Sequence, residues 1–184
     1  MTAQDVIDHP SVYRLRVADY QLLEDKGALN SFAKTELIEG VIVGVNAQST
    51  AHARIQSHLY RGLDATCGAL GMDLDAWFEV SIALGPETMP QPDIVLARNA
   101  AIPGELVALI VEVSDSTAKL DLGAKARIYA TAGIAEYWVA DVTAQVVRQM
   151  WAPEGEAYTE RREVAFGEQV EAVTVARLVE TAGL

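Results

Sequence analysis

The sequence predicts one α/β or α+β domain built on a β-sheet. Three observations carry this. Short β-type runs interleave with segments of helical period, the run Glu105–Val113 (ELVALIVEV) is almost wholly apolar, and neither charge nor composition steps along the chain. Apolar residues make up 51% of the 184 and charged residues 22%, enough for a sizeable core and too apolar for a disordered or low-complexity chain. The formal charge is 14 − 26 = −12. Residues 1–92 carry 6 basic and 12 acidic groups and residues 93–184 carry 8 and 14, so each half is −6 and no boundary is marked. A single domain over residues 1–184 is therefore expected.

The elements follow in order. In Val17–Lys26, the residues Val17, Tyr20 and Leu23 fall on one helical stripe, and Gly27 can end it. Thr35–Val45 alternates apolar and polar positions around Gly40 and reads as a hairpin or a bent strand. Ala51–Thr66 is an amphipathic helix, with Ile55, Leu59 and Leu63 on one face and Arg54, His58 and Arg61 on another. Met72–Leu84 is strand-like until Gly85-Pro86, and Gln91-Pro92 opens a short buried strand at Asp93–Ala97. Glu105–Val113 suits a central strand covered on both faces. Ala118–Thr131 has helical period, with Gly133 as its C-terminal cap. Glu136–Asp141 and Gln145–Trp151 read as strands joined by a tight turn. A turn at Pro153–Glu156, one or two further strands and a short helix near Val175–Thr181 complete the expectation.

Composition narrows function. A lone Cys67 can form neither an internal disulfide nor a thiolate metal cage. No charged-then-apolar leader and no membrane-length apolar run is present, so a soluble cytoplasmic protein is expected. The acidic balance argues against a protein that coats nucleic acid through a basic surface. The Walker and dinucleotide glycine loops are absent, and Ser114, Ser116 and Thr117 lack a Gly-x-Ser-x-Gly elbow and read as helix caps.

Two carboxylates stand in unusual places. Asp93 begins an apolar strand after Pro92, and Glu112 interrupts the apolar run nineteen positions later. A carboxylate among Ile110, Val111 and Val113 is costly to bury without compensation. If the two strands pair, about 4.8 Å apart, Asp93 and Glu112 can share one hard divalent ion. Asp121, Lys125 and Tyr129 recur every four residues along the next helix, so Lys125 can place an ammonium beside a metal-bound phosphate. Each has a plain reading as well: a turn aspartate for Asp93, a surface ion pair for Asp121 and Lys125, packing for Tyr129, and strand or interface roles for Glu136, Tyr137 and Trp138. His52 and His58 read as polar groups on a half-exposed helix, and the Arg54–His58–Arg61 face as a solvated stripe that could meet phosphate.

The stretch Leu109–Asp141 resembles the signature of the Uma-type family of putative restriction endonucleases. It holds Val111-Glu112-Val113, Ser114-Asp115-Ser116-Thr117, then Asp121, Lys125 and Tyr129, then Gly133-Ile134-Ala135-Glu136-Tyr137-Trp138. Glu36-Leu37-Ile38-Glu39-Gly40, His52 and Pro92-Asp93 match upstream, so the likeness runs over about residues 17–150, with further strands and the short helix at 151–184. The resemblance implies the PD-(D/E)XK nuclease fold, a mixed sheet flanked by helices, and Mg²⁺- or Mn²⁺-dependent hydrolysis of DNA. It implies Asp93 and Glu112 as acids of the site and Glu36 as a further acid for the metal, with Glu39 behind it. The sequence departs from the superfamily at Ser114, where lysine is expected; the family pattern moves that role to Lys125, with Lys119 ranked second. A homodimer is an expectation of the same resemblance. The alternative is a catalytically inactive module that binds a protein partner through the sheet edge or a Trp138/Trp151 surface, with Lys125 turned to solvent.

Overall fold

In the computed structural model of the chain, which describes residues 13–45, 48–71, 73–98, 107–174 and 177–180, the apolar run is an inner strand of a six-stranded sheet. That sheet comprises β3 (Asp75–Phe78), β4 (Ile94–Ala97), β5 (Val107–Ser114), β6 (Glu136–Asp141), β7 (Val146–Glu154) and β8 (Ala157–Ala165), side by side in that order. Every neighbouring pair is antiparallel except β5 and β6, which run parallel. A parallel pair needs a crossover, and residues 118–131 provide it as helix α3. The sheet is therefore mixed, as the family resemblance implied.

Among the described residues two helices precede α3: α1 (Val17–Asp25) and α2 (Thr50–Leu70). Ser49 caps α2 by accepting the His52 N–H, and Gly71 ends it at φ 58°. Alternation along the strands divides the core between the two sheet faces. Ile55, Leu59 and Leu63 of α2 pack with Leu96, Leu109, Val111, Val113 and Trp138 on one face. Ile128, Tyr129 and Ala130 of α3 pack with Val95, Ile110, Tyr137 and Val139 on the other.

A separate hairpin, β1 (Lys34–Ile38) and β2 (Val41–Val45), turns through Glu39 and Gly40 at φ 49° and 77°. Two positive φ values in a two-residue loop match the strand twist. Gly40 is required there for space too, because a Cβ would lie 2.4 Å from the Arg14 Cβ. The backbones of Leu37 and Met89 bond reciprocally at 2.7 and 3.2 Å, which seats the hairpin against the segment leading to β4.

Two expectations change. Of the described part of the expected strand Met72–Leu84, residues 73–84, Asp75–Phe78 is strand, because Glu79 turns to φ 50° and residues 80–84 leave the ladder. In place of the short helix near Val175–Thr181 stands β10 (Arg177–Glu180), antiparallel to β9 (Gln169–Ala172). A four-residue run fits one helical turn or one edge strand equally, and pairing with β9 decides. Residues 1–12, 72, 105–106, 175–176 and 181–184, over which several expectations extended, lie outside the described residues. Among the described residues no helix is long and apolar enough to cross a membrane.

The Trp138/Trp151 surface does not form. Trp138 is wholly buried, and Trp151 is half-buried with the Arg162 guanidinium 5.6 Å from its ring centroid. The Trp138 indole N–H and the Gln149 amide donate to Glu136 Oε1, while the Thr174 N–H and hydroxyl donate to Oε2, each at 2.8 Å. Glu136 thus works as a four-fold acceptor in the core. Glu136→Gln should lower stability by about 1–3 kcal/mol, since its amide would face a donor it cannot satisfy. Thermal unfolding would read this as a fall in Tm, and an unchanged Tm would refute the assignment.

Candidate active site

The register of β4 against β5 decides the geometry of the two carboxylates. Ile94 lies opposite Val111, so Asp93, one residue earlier, falls opposite Glu112. Opposed side chains share a face, with Cβ atoms about 4.5–5.5 Å apart. By alternation that face also carries Val95 and Ile110 and looks toward α3. Both carboxylates are buried, at 3% exposure each, in the wall of a cavity of about 620 Å³.

Helix α3 delivers the cation. It continues from Ala118–Leu120 through a π-helical turn, Asp121–Lys125, into Ala126–Thr131, and the Ala126 N–H reaches back to the Asp121 carbonyl. That carbonyl also accepts the Tyr137 hydroxyl at 3.0 Å. Lys125 Nζ lies 2.8 Å from Glu36 Oε2, 2.9 Å from Glu112 Oε1 and 3.8 Å from Asp121 Oδ1. Glu36 arrives from β1, and its Oε1 accepts the Gln91 N–H at 2.8 Å, two residues before Asp93. Asp121, whose plain reading in the sequence is a surface ion pair, is buried and accepts the Thr117 hydroxyl. Thr117 does stand at the N-terminal cap, but its side chain serves Asp121 rather than the helix backbone.

Each charge is set by a different balance. Burial pushes the Glu112 carboxyl up to about 8, against the opposing pull of Lys125. Burial also raises Asp93, but His52 and Lys34 outweigh it, together with the Val113 N–H, and hold Asp93 below the usual carboxylate range. For Lys125, burial opposes the charge, and Glu112, Glu36 and Asp121 override it and hold the ammonium above its ordinary value. Two facing carboxyls driven in opposite directions are a pattern of catalytic sites.

Four residues of this site have roles that residue patterns did not reveal. Lys34 Nζ lies 3.5 Å from Asp93 Oδ1 and His52 Nε2 lies 3.4 Å from Asp93 Oδ2. Gln56, one turn after His52, donates to the Asp93 carbonyl at 3.2 Å. The Tyr129 hydroxyl donates to Glu112 Oε1 at 2.8 Å, beyond its packing role. Period placed Tyr129 on the Lys125 stripe and held an unused signal for others: Lys34 stands two residues from Glu36 on a strand, and His52 four from Gln56 on a helix. Lys119 is exposed, and Glu39 pairs with Arg127 at 2.7 Å; neither lines the cavity, nor do Arg54, His58 and Arg61. Among the described residues no three of His, Cys, Asp and Glu are already gathered as a metal-binding group, since Lys125 stands between Glu36 and Glu112. Tyr129→Phe removes one buried donor from Glu112 and should lower stability by about 1–3 kcal/mol. An unchanged Tm would confine Tyr129 to packing.

The family described as Uma2, "Putative restriction endonuclease", matches residues 17–181. The chain belongs to the Uma2 family. No curated protein matches it. Among solved structures it is similar to "a putative nuclease belonging to DUF820" from Anabaena variabilis ATCC 29413. That similarity has a TM-score of 0.69 at 16% identity, and covers 91% of this chain and 95% of the other. At that identity the likeness establishes the fold. For this Uma2 chain it agrees with the mixed sheet flanked by helices. Membership also makes a nuclease-type hydrolase the coarse functional class, and DNA the substrate that the class implies.

Proposed function

We propose that this Uma2 protein is a Mg²⁺- or Mn²⁺-dependent endonuclease that hydrolyses DNA phosphodiester bonds. The observation that carries the reading is the opposed pair Asp93–Glu112 on neighbouring strands, with the buried Lys125 ammonium 2.9 Å from Glu112, in one cavity wall. Hard divalent ions use one or two carboxylates and take their other oxygens from water and phosphate. The donor set fits: Asp93 and Glu112 would hold the ion, with Glu36 as the further carboxylate. The ion would supply polarisation of the phosphate and a lowered pKa for the attacking water. Asp93 is kept ionised by the groups around it, and Tyr129 and Lys125 hold one Glu112 oxygen and thereby orient the other. Lys125 adds a fixed positive charge where negative charge develops.

Charge is the obstacle to this reading, and the same ion relieves it. Six carboxylates line the cavity (Glu36, Glu79, Asp93, Glu112, Asp115, Asp121), against the two ammoniums of Lys34 and Lys125. A bound ion offsets part of that excess, and a homodimer acting in the cytoplasm would present a shared groove to the duplex. Lys125 at 4% exposure lacks the solvent-facing pose that a decayed, partner-binding module would show.

The test is incubation of the purified protein with supercoiled, linear and single-stranded DNA in Mg²⁺ or Mn²⁺, beside Glu112→Gln prepared identically. Cleavage by the wild type alone supports the reading. Equal cleavage by both marks contamination, and no cleavage of any DNA form overturns the proposal.

A further inference from the structure

We propose that Lys34 is the residue that contacts the substrate phosphate in this cavity, leaving its place beside Asp93 when a metal ion takes that carboxylate. The inference rests on the nuclease reading and deepens it. The site has two ammoniums with unlike surroundings. Lys125 is 4% exposed and lies within 4 Å of three carboxylates, so its charge is already met on every side and its position is fixed. Lys34 has one long contact, 3.5 Å to Asp93 Oδ1, and its side chain keeps 14% of its surface open. Its backbone is held by the pairing of Lys34 with Val45 in the hairpin, while its four-carbon stem leaves the ammonium free to change partner.

Asp93 has partners besides Lys34. Its Oδ2 accepts the Val113 N–H at 2.7 Å and lies 3.4 Å from His52 Nε2. A divalent ion held by Asp93 would take over the charge that Lys34 meets there, and the 3.5 Å contact would no longer hold the ammonium. The cavity carboxylates and the substrate phosphate then compete for it, and the phosphate is the partner assigned to it. The sheet itself offers no cation here, because Ser114 stands two residues beyond Glu112 and is wholly buried. Beside the fixed charge of Lys125, the movable cation of the cavity therefore comes from the hairpin.

The experiment is fluorescence anisotropy of a short labelled DNA duplex with the full chain in Ca²⁺, over a series of salt concentrations. Wild type, Lys34→Gln and Lys34→Arg are compared, with the exposed Lys119→Gln as control. Loss of one phosphate contact should reduce the slope of log affinity against log salt by about 0.9. Lys34→Gln is expected to show that reduction and weaker binding, while Lys34→Arg and Lys119→Gln keep the wild-type slope. Lys34→Met serves if Lys34→Gln fails to fold by thermal unfolding. A wild-type slope and affinity in Lys34→Gln, with the wild type cleaving DNA, overturns the Lys34 assignment alone. A wild type that neither binds nor cleaves DNA overturns the nuclease reading and this inference together.

Discussion

Glu112→Gln is expected to lower DNA cleavage by at least about a thousandfold, which corresponds to about 4 kcal/mol of lost transition-state stabilisation. The substitution keeps the shape of the side chain and removes its capacity to ionise toward a cation. The amide oxygen can still accept from Tyr129 and Lys125, and Lys125 retains Glu36 and Asp121, so the fold should survive. What disappears is one of the two opposed carboxylates on which an ion would sit. Calorimetric titration with Mn²⁺ should show the same loss as weakened binding, and single-turnover cleavage should show it as rate. Wild-type metal affinity in the variant would remove Glu112 from the metal site, whatever happened to the rate.

Lys125→Met should act on stability first. Removing one partner of a buried ion pair costs about 3–5 kcal/mol, because the charges left behind are neither paired nor hydrated. Here the groups left behind are Glu36, wholly buried, and Asp121 close by, while Glu112, already pushed up to about 8 with Lys125 present, takes a proton. For a chain of this size each kcal/mol shifts Tm by about 2–4 °C, so a fall on the order of 10 °C is expected. Two additions should reverse part of it. Pairing the substitution with Glu36→Gln removes one orphaned charge, and a divalent cation can neutralise the others. A Lys125→Met protein with the wild-type Tm would show that the ammonium does not compensate these carboxylates. Recovery by Glu36→Gln without recovery by Mn²⁺ would make Glu36 a counter-charge for Lys125 rather than a metal ligand.

The strand content of the sheet and the placing of Asp93 and Glu112 on it were readable because alternation and apolar runs are local properties. Leu109, Val111 and Val113 pack toward α2 while Ile110 packs toward α3, as a doubly covered strand must. Other features depend on partners remote in sequence. Glu36 meets Lys125 across 89 residues only because Leu37 and Met89 dock the hairpin. Lys34 acquires meaning through that same docking. A spacing of four put Asp121, Lys125 and Tyr129 on one stripe, but could not say whether the stripe faced water or the cavity. Arg177–Glu180 held too few residues for its own period to choose between strand and helix, and β9 made the choice.

The π-helical turn of α3 has a consequence for how this protein can be altered. It adds one residue to an otherwise regular helix, so excising Gly123 would restore the ordinary ladder. Because each helical residue turns about 100°, the same excision would rotate Lys125 and Tyr129 away from Glu112 relative to Asp121. The shortened helix would be a better helix attached to a worse site. Selection for stability alone would favour removing the extra residue, and selection for chemistry would keep it. The length of this one turn therefore decides whether the lysine and the tyrosine reach the strand carboxylate together.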